Sequence, residues 1–108
     1  MKIGDIILVP FPYAELNNLK LRPAVVVCTT ADKYKDVIVC AISSIVPTRL
    51  NDLEILLTPN KTNRLRVPSI IKVDRIVTLK KESIIVELGK ITPAELAQFK
   101  NQFRSLVA

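Results

Sequence analysis

Two apolar, β-rich runs near the start of the chain, Asp5–Phe11 and Ala24–Thr29, flank a polar, turn-forming segment centred on Asn17 and Asn18. This strand–loop–strand unit constrains the fold most, because its return arm is stiff. Lys20, Arg22 and Pro23 stand where the loop becomes the second strand. Pro23 fixes its own φ and drives Arg22 towards extended geometry. A permanent cation is therefore expected at the rim of a core, on a rigid support. Pro10 and Pro12 close the first strand.

Further along, Asp32–Asp36 (DKYKD) reads as a polar turn and Val37–Ser43 (VIVCAIS) as a third strand, apolar enough for burial on both faces. The chain returns through Ile45–Leu50, and Leu53–Leu57 is a fourth strand. Thr58–Arg66 (TPNKTNRLR) is a basic loop in which Pro59-Asn60 signals a turn. Val67–Lys72 reads as a fifth strand and Arg75–Leu79 as a separate short one. Lys80–Ser83 turns the chain, and Ile84–Leu88 fits either a strand or a helical turn. Thr92-Pro93-Ala94-Glu95 is a capping box with proline at the first helical position. Leu96, Phe99, Phe103, Leu106 and Val107 then form one apolar stripe. Lys100 and Arg104 fall where the helix dipole favours cations. Short strands followed by one amphipathic helix predict a mainly β (α+β) fold: a small β-barrel with a C-terminal covering helix.

At 108 residues the chain reads as one domain, 1–108, with a modest core. Apolar residues make up 49%, which excludes general disorder, and only two glycines leave little room for flexible linkers. The net charge is +6, with a pI near 9.6, which suits a polyanionic partner as well as plain solubility. Cys28 and Cys40 sit inside Val/Ile runs and are expected to be small core residues in a reducing compartment. With no histidine and no third cysteine, neither a disulfide framework nor a metal site is expected. No apolar run reaches membrane-spanning length and no signal-peptide stretch follows Met1-Lys2, so the expected location is the cytoplasm.

Gly4-Asp5-Ile6, Pro10-Phe11-Pro12 and Lys20-Leu21-Arg22-Pro23-Ala24-Val25-Val26-Val27 together resemble the opening of the MazF/PemK family. Members are toxins of bacterial toxin–antitoxin pairs, and most are ribosome-independent endoribonucleases. The resemblance implies an SH3-like barrel, a symmetric homodimer, single-stranded RNA (mRNA) as substrate and a cognate acidic antitoxin. It implies no cofactor. Two departures stand out: Asn17-Asn18 replace loop glycines, and Ser43 replaces a threonine common in the family. Asn tolerates left-handed backbone, so the turn can survive.

Cutting RNA without a metal needs a base for the 2′-OH, cations for charge building on the phosphate, and a proton for the leaving 5′-oxygen. Arg22 is the candidate phosphate clamp, since a guanidinium gives two parallel hydrogen bonds. Its residues alone leave a rim salt bridge with Asp5 or Glu15 open; the resemblance makes it catalytic. Ser43 matches the family's strand-end hydroxyl, which could otherwise simply bond backbone. Asp74 matches a family acid. In an extended segment Lys72 and Asp74 share a face, as an acid–base pair or an ion pair. Lys20, Ser44, Arg49, Lys61, Arg64, Arg66 and Lys72 are the candidate RNA contacts, with Phe11 and Tyr13 available to stack on bases.

Two other readings remain at this point. A related toxin family with a similar barrel inhibits DNA gyrase without cutting nucleic acid, but depends on C-terminal residues for which Ser105-Leu106-Val107-Ala108 offers no cue. A basic SH3-like module that only binds nucleic acid is the third.

Overall fold

The computed structural model describes residues 1–11 and 20–108. The turn at Asn17-Asn18, Glu15, Tyr13 and the side chain of Phe11 lie outside the described residues. Among the described residues there are six strands: β1 (Asp5–Phe11), β2 (Lys20–Thr29), β3 (Val37–Ser43), β4 (Glu54–Leu57), β5 (Ser69–Leu79) and β6 (Val86–Lys90). A 3₁₀ turn spans Lys81–Ser83, and one helix, α1, spans Pro93–Ser105. The strands form one antiparallel sheet in the order β4-β5-β3-β2-β1-β6. It curls into a half-barrel, with β4 and β6 as its two edges.

Alternation along the strands builds two cores, one on each face. Ile6, Val25, Cys40, Ile42, Ile55, Leu57, Ile71 and Val73 face α1 and enclose Phe99. Ile7, Val9, Ala24, Val26, Val37, Val39 and Ala41 form the second cluster on the opposite face. The central strands are thus buried on both sides, as the continuous apolar run of β3 predicts.

Three irregularities bend the sheet. Register slips at Ile6/Ile7 between β1 and β6, at Val26/Cys28 between β2 and β3, and at Cys40/Ala41 between β3 and β5. In the last, Cys40 pairs with Ile76 and Ala41 with Lys72, so 73–75 stand out of the ladder as a bulge. The polar stretch there, read from sequence as a break between two strands, is a bulge within one. Bulges of this kind increase local twist and help the sheet to curl.

The helix begins as its capping box predicts. Thr92 Oγ1 accepts from the Glu95 amide at 3.2 Å, and Glu95 Oε1 accepts from the Thr92 amide at 2.8 Å. Phe99 is fully buried and meets Phe103 edge-on, with ring centroids 6.0 Å apart. Gly4, at φ +92°, lets the chain turn beneath the helix, where a Cβ would crowd Leu96 and Ile91.

One expectation fails. Cys28 is exposed, not a core residue. The slip after Val26 breaks the alternation, and Cys28 lies near the end of β2 where the core has run out.

Candidate functional site

The β2–β3 ladder directs Arg22 and Ser43 towards the same end of the sheet. Ala24 pairs with Ala41, and both belong to the core cluster opposite α1. Arg22 and Ser43 each lie two residues further, towards the same end of the ladder, and so share that face. Arg22 is half-buried and its Nε is shielded from solvent. Val9 in β1 is its register partner on the other side. Ser43 Oγ accepts from the Ile45 amide at 3.1 Å, which fixes the hydroxyl but leaves its proton available to donate.

At this end of the strands a groove of about 410 Å³ opens. Its floor is apolar, built from Leu8, Leu21, Pro23, Ile42, Leu65, Val67 and Leu88. Its polar lining is Arg22, Ser44, Arg64, Arg66 and Ser69. Three arginines line it and no described carboxylate does, an arrangement that attracts anionic groups.

The loop carrying Arg64 and Arg66 is held by one buried side chain. Asn63 has no solvent exposure. Its Oδ1 accepts from the amides of Asn60 at 3.0 Å and Leu65 at 3.0 Å, and its Nδ2 donates to the Thr58 carbonyl at 2.9 Å. Asn60 Oδ1 in turn accepts from the amides of Thr62 and Asn63. Arg64 adopts φ +55°, a left-handed conformation uncommon for a non-glycine residue, as the chain leaves this knot. The loop rests on Gly89 of β6, where a Cβ would collide with the Thr62 carbonyl. Asn63 and Gly89 escape a reading of motifs. A glycine inside a strand pattern, in a chain with only two glycines, is the available signal for close backbone approach.

The other candidates are spread more widely. Lys61 and Arg64 line a second cleft beside the first. Lys20 is exposed at the start of β2, and Arg49 is exposed in the connection between β3 and β4; neither lines the groove. Lys72 is half-buried within the sheet, between register partners Ala41 and Glu54. Asp74 is exposed in the β5 bulge. Ser43 pairs with Ile70, and Asp74 is four residues beyond, roughly 13 Å along the strand at about 3.3 Å per residue. Asp74 instead lies near Cys40. Burial first, and the Asp74 charge second, push the Cys40 thiol up to about 12. Cys40 Sγ donates to the Val73 carbonyl at 3.3 Å. Among the described residues no group of three or more His, Cys, Asp or Glu is placed to hold a metal ion. No described helix is long and apolar enough to cross a membrane.

The family model for PemK-like, MazF-like toxins of type II toxin–antitoxin systems matches residues 2–107. The chain belongs to this toxin family. No curated protein matches the sequence. Among solved structures, the toxin is similar to an endoribonuclease bound to its cognate antitoxin from a mycobacterial species, at 17% identity and TM-score 0.75, covering 99% of this chain and 94% of that one. It is also similar to Mycobacterium tuberculosis toxin MazF-mt6, at 15% identity and TM-score 0.70 over 95% of each chain. MazF from Deinococcus radiodurans matches at 21% identity and TM-score 0.72, covering 99% of this chain and 96% of that one. At these identities the likeness is one of fold. The toxin family rules in neither a particular substrate sequence nor a particular residue; those rest on the groove.

Proposed function

We propose that this toxin is a metal-independent endoribonuclease that cuts single-stranded RNA, as mRNA, at a short sequence. The observation that carries the reading is the groove: three arginines with no described carboxylate, at the strand ends where Arg22 and Ser44 line it. The ribose 2′-oxygen attacks phosphorus, the bond from phosphorus to the 5′-oxygen breaks, and a 2′,3′-cyclic phosphate and a 5′-OH are left. The 2′-OH proton passes to a base, and the 5′-oxygen takes up a proton. Arg22 holds two phosphate oxygens and stabilises the charge that grows on them. Ser44 donates to the same phosphate from the groove lining, and Ser43, the residue before it, adds a second hydroxyl at the strand end. Arg64 and Arg66 hold flanking phosphates, while Lys20, Arg49, Lys61 and Lys72 add to the field that draws RNA in. Asp74 stands outside this cluster, and proton removal is not assigned to it.

The toxin acts in the cytoplasm as a homodimer and is silenced by an acidic antitoxin laid over the same arginines. A mycobacterial endoribonuclease of similar fold binds a cognate antitoxin, which supports the partner. Three arginines lining one groove favour RNA cleavage over gyrase inhibition. The test is labelled single-stranded RNA in EDTA. Cleavage at full rate to 5′-OH products supports the proposal; activity lost in EDTA and restored by a divalent ion, or 5′-phosphate products, sinks it.

A further inference from the structure

The second cleft, about 500 Å³, is lined by Asp5, Lys61, Thr62, Arg64, Glu87, Leu88, Gly89 and Lys90. It shares Arg64 and Leu88 with the first groove, so the two adjoin, with Arg64 as the saddle between them. The saddle is fixed, because the Asn63 knot and the Thr62–Gly89 contact hold the loop down. The charges on the two sides differ. The first groove carries three arginines and no described carboxylate; the second sets Lys61, Arg64 and Lys90 against Asp5 and Glu87. Asp5 is already engaged, since its Oδ2 accepts from the Lys2 amide at 2.8 Å. Glu87 is exposed on β6, and its carboxylate forms no hydrogen bond or ion pair with a described residue.

We infer that the second cleft is an RNA subsite beyond the cut, in which Lys61 and Lys90 hold backbone phosphates and Glu87 selects a base carrying an exocyclic amine. A carboxylate repels phosphate, so a purely electrostatic track has no use for Glu87 in this position. It accepts well from an amino group, as carboxylates do from cytosine N4. Adenine, cytosine and guanine offer such a donor and uracil does not. An acidic peptide is disfavoured here by the same carboxylates, whereas the first groove suits one. The inference rests on the RNA reading above and adds a specificity-determining residue to it.

The experiment compares a short RNA that spans the cut with versions extended by several nucleotides on either side. Each carries 2′-deoxyribose at the cut, so that binding is read alone; parallel all-ribose RNAs report cleavage. One extension is expected to tighten binding and to steepen its salt dependence by about 1.4, at about 0.7 for each single-strand phosphate contact made by Lys61 and Lys90. Lys90→Ala should remove about half of that added slope. At one extended position, adenine, cytosine or guanine should bind about tenfold better than uracil, and Glu87→Gln should weaken this preference. Extensions that add nothing, or an added affinity and base preference untouched by Lys90→Ala and Glu87→Gln, overturn the inference while short RNA is still cut. If no all-ribose RNA is cut, the endoribonuclease reading falls and takes this subsite with it.

Discussion

Gly89 lies directly beneath the carbonyl of Thr62, so close that a Cβ at that position would overlap the oxygen. The same oxygen accepts from the Lys90 amide at 3.0 Å. An edge strand and the arginine loop are thereby clamped by backbone alone. Gly89→Ala is expected to force the loop outward, at about 1–3 kcal/mol of stability. RNA binding should fall by more than the stability loss accounts for, because Arg64 and Arg66 move with the loop. Denaturant unfolding and RNA titration of the same variant check this; unchanged binding by a folded variant would separate the clamp from the site.

Arg22→Ala should lower turnover by about 10²-fold or more with folding nearly intact, as expected when charge-stabilising donors are lost. Arg22→Lys should recover little, since a point charge does not copy a two-pronged donor. Single-turnover cleavage and thermal melts distinguish the roles. Near wild-type cleavage removes Arg22 from the chemistry, and a collapse in stability assigns it to the rim of the core.

The two cysteines should behave differently. The thiolate is the reactive form, and burial together with the Asp74 charge keeps Cys40 protonated up to about 12. At pH 8 a thiol reagent should label exposed Cys28 in the folded toxin and reach Cys40 only on unfolding. The same shift sets a direction for stability. An unfolded Cys40 loses its proton above about 9.0 while the folded one keeps it, so this residue's contribution falls as pH rises from 9.0 towards 12. Mass spectrometry of labelled native protein, and unfolding at successive pH values, report both effects.

If an acidic segment covers the arginine groove, it should compete with RNA, and its association should slow as salt rises. Competition binding with the product of the neighbouring gene measures both. A tight complex that still takes up RNA unhindered would place inhibition elsewhere.

Local chemistry made much of this legible from sequence. The Thr92–Glu95 capping box, the doubly apolar β3 and the boundaries of β1 follow from residues adjacent in the chain. β2 begins at Lys20, earlier than the apolar run suggests, because Lys20 and Leu21 pair with Phe11 and Pro10. The β5 bulge was hidden because residues 72–75 read as a break, whereas pairing with β3 at Lys72 and again at Ile76 makes one strand of the two segments. Ile84–Leu88 was ambiguous, and edge pairing with β1 decides for a strand from Val86. At the site, the Arg-Pro pair and the strand-end serines were visible through the family resemblance. The groove was not, because Arg64 and Arg66 reach Arg22 only through the packing of Asn63 and the Thr62–Gly89 contact.

The proposed cut proceeds by attack of a ribose 2′-OH on a phosphate held at Arg22. The most direct measurement uses two RNAs identical except for a single 2′-deoxyribose at the cut nucleotide. Both should bind with similar affinity, and only the all-ribose strand should be cut at that bond. Cleavage of the deoxy-substituted strand at the same bond and a comparable rate would contradict it.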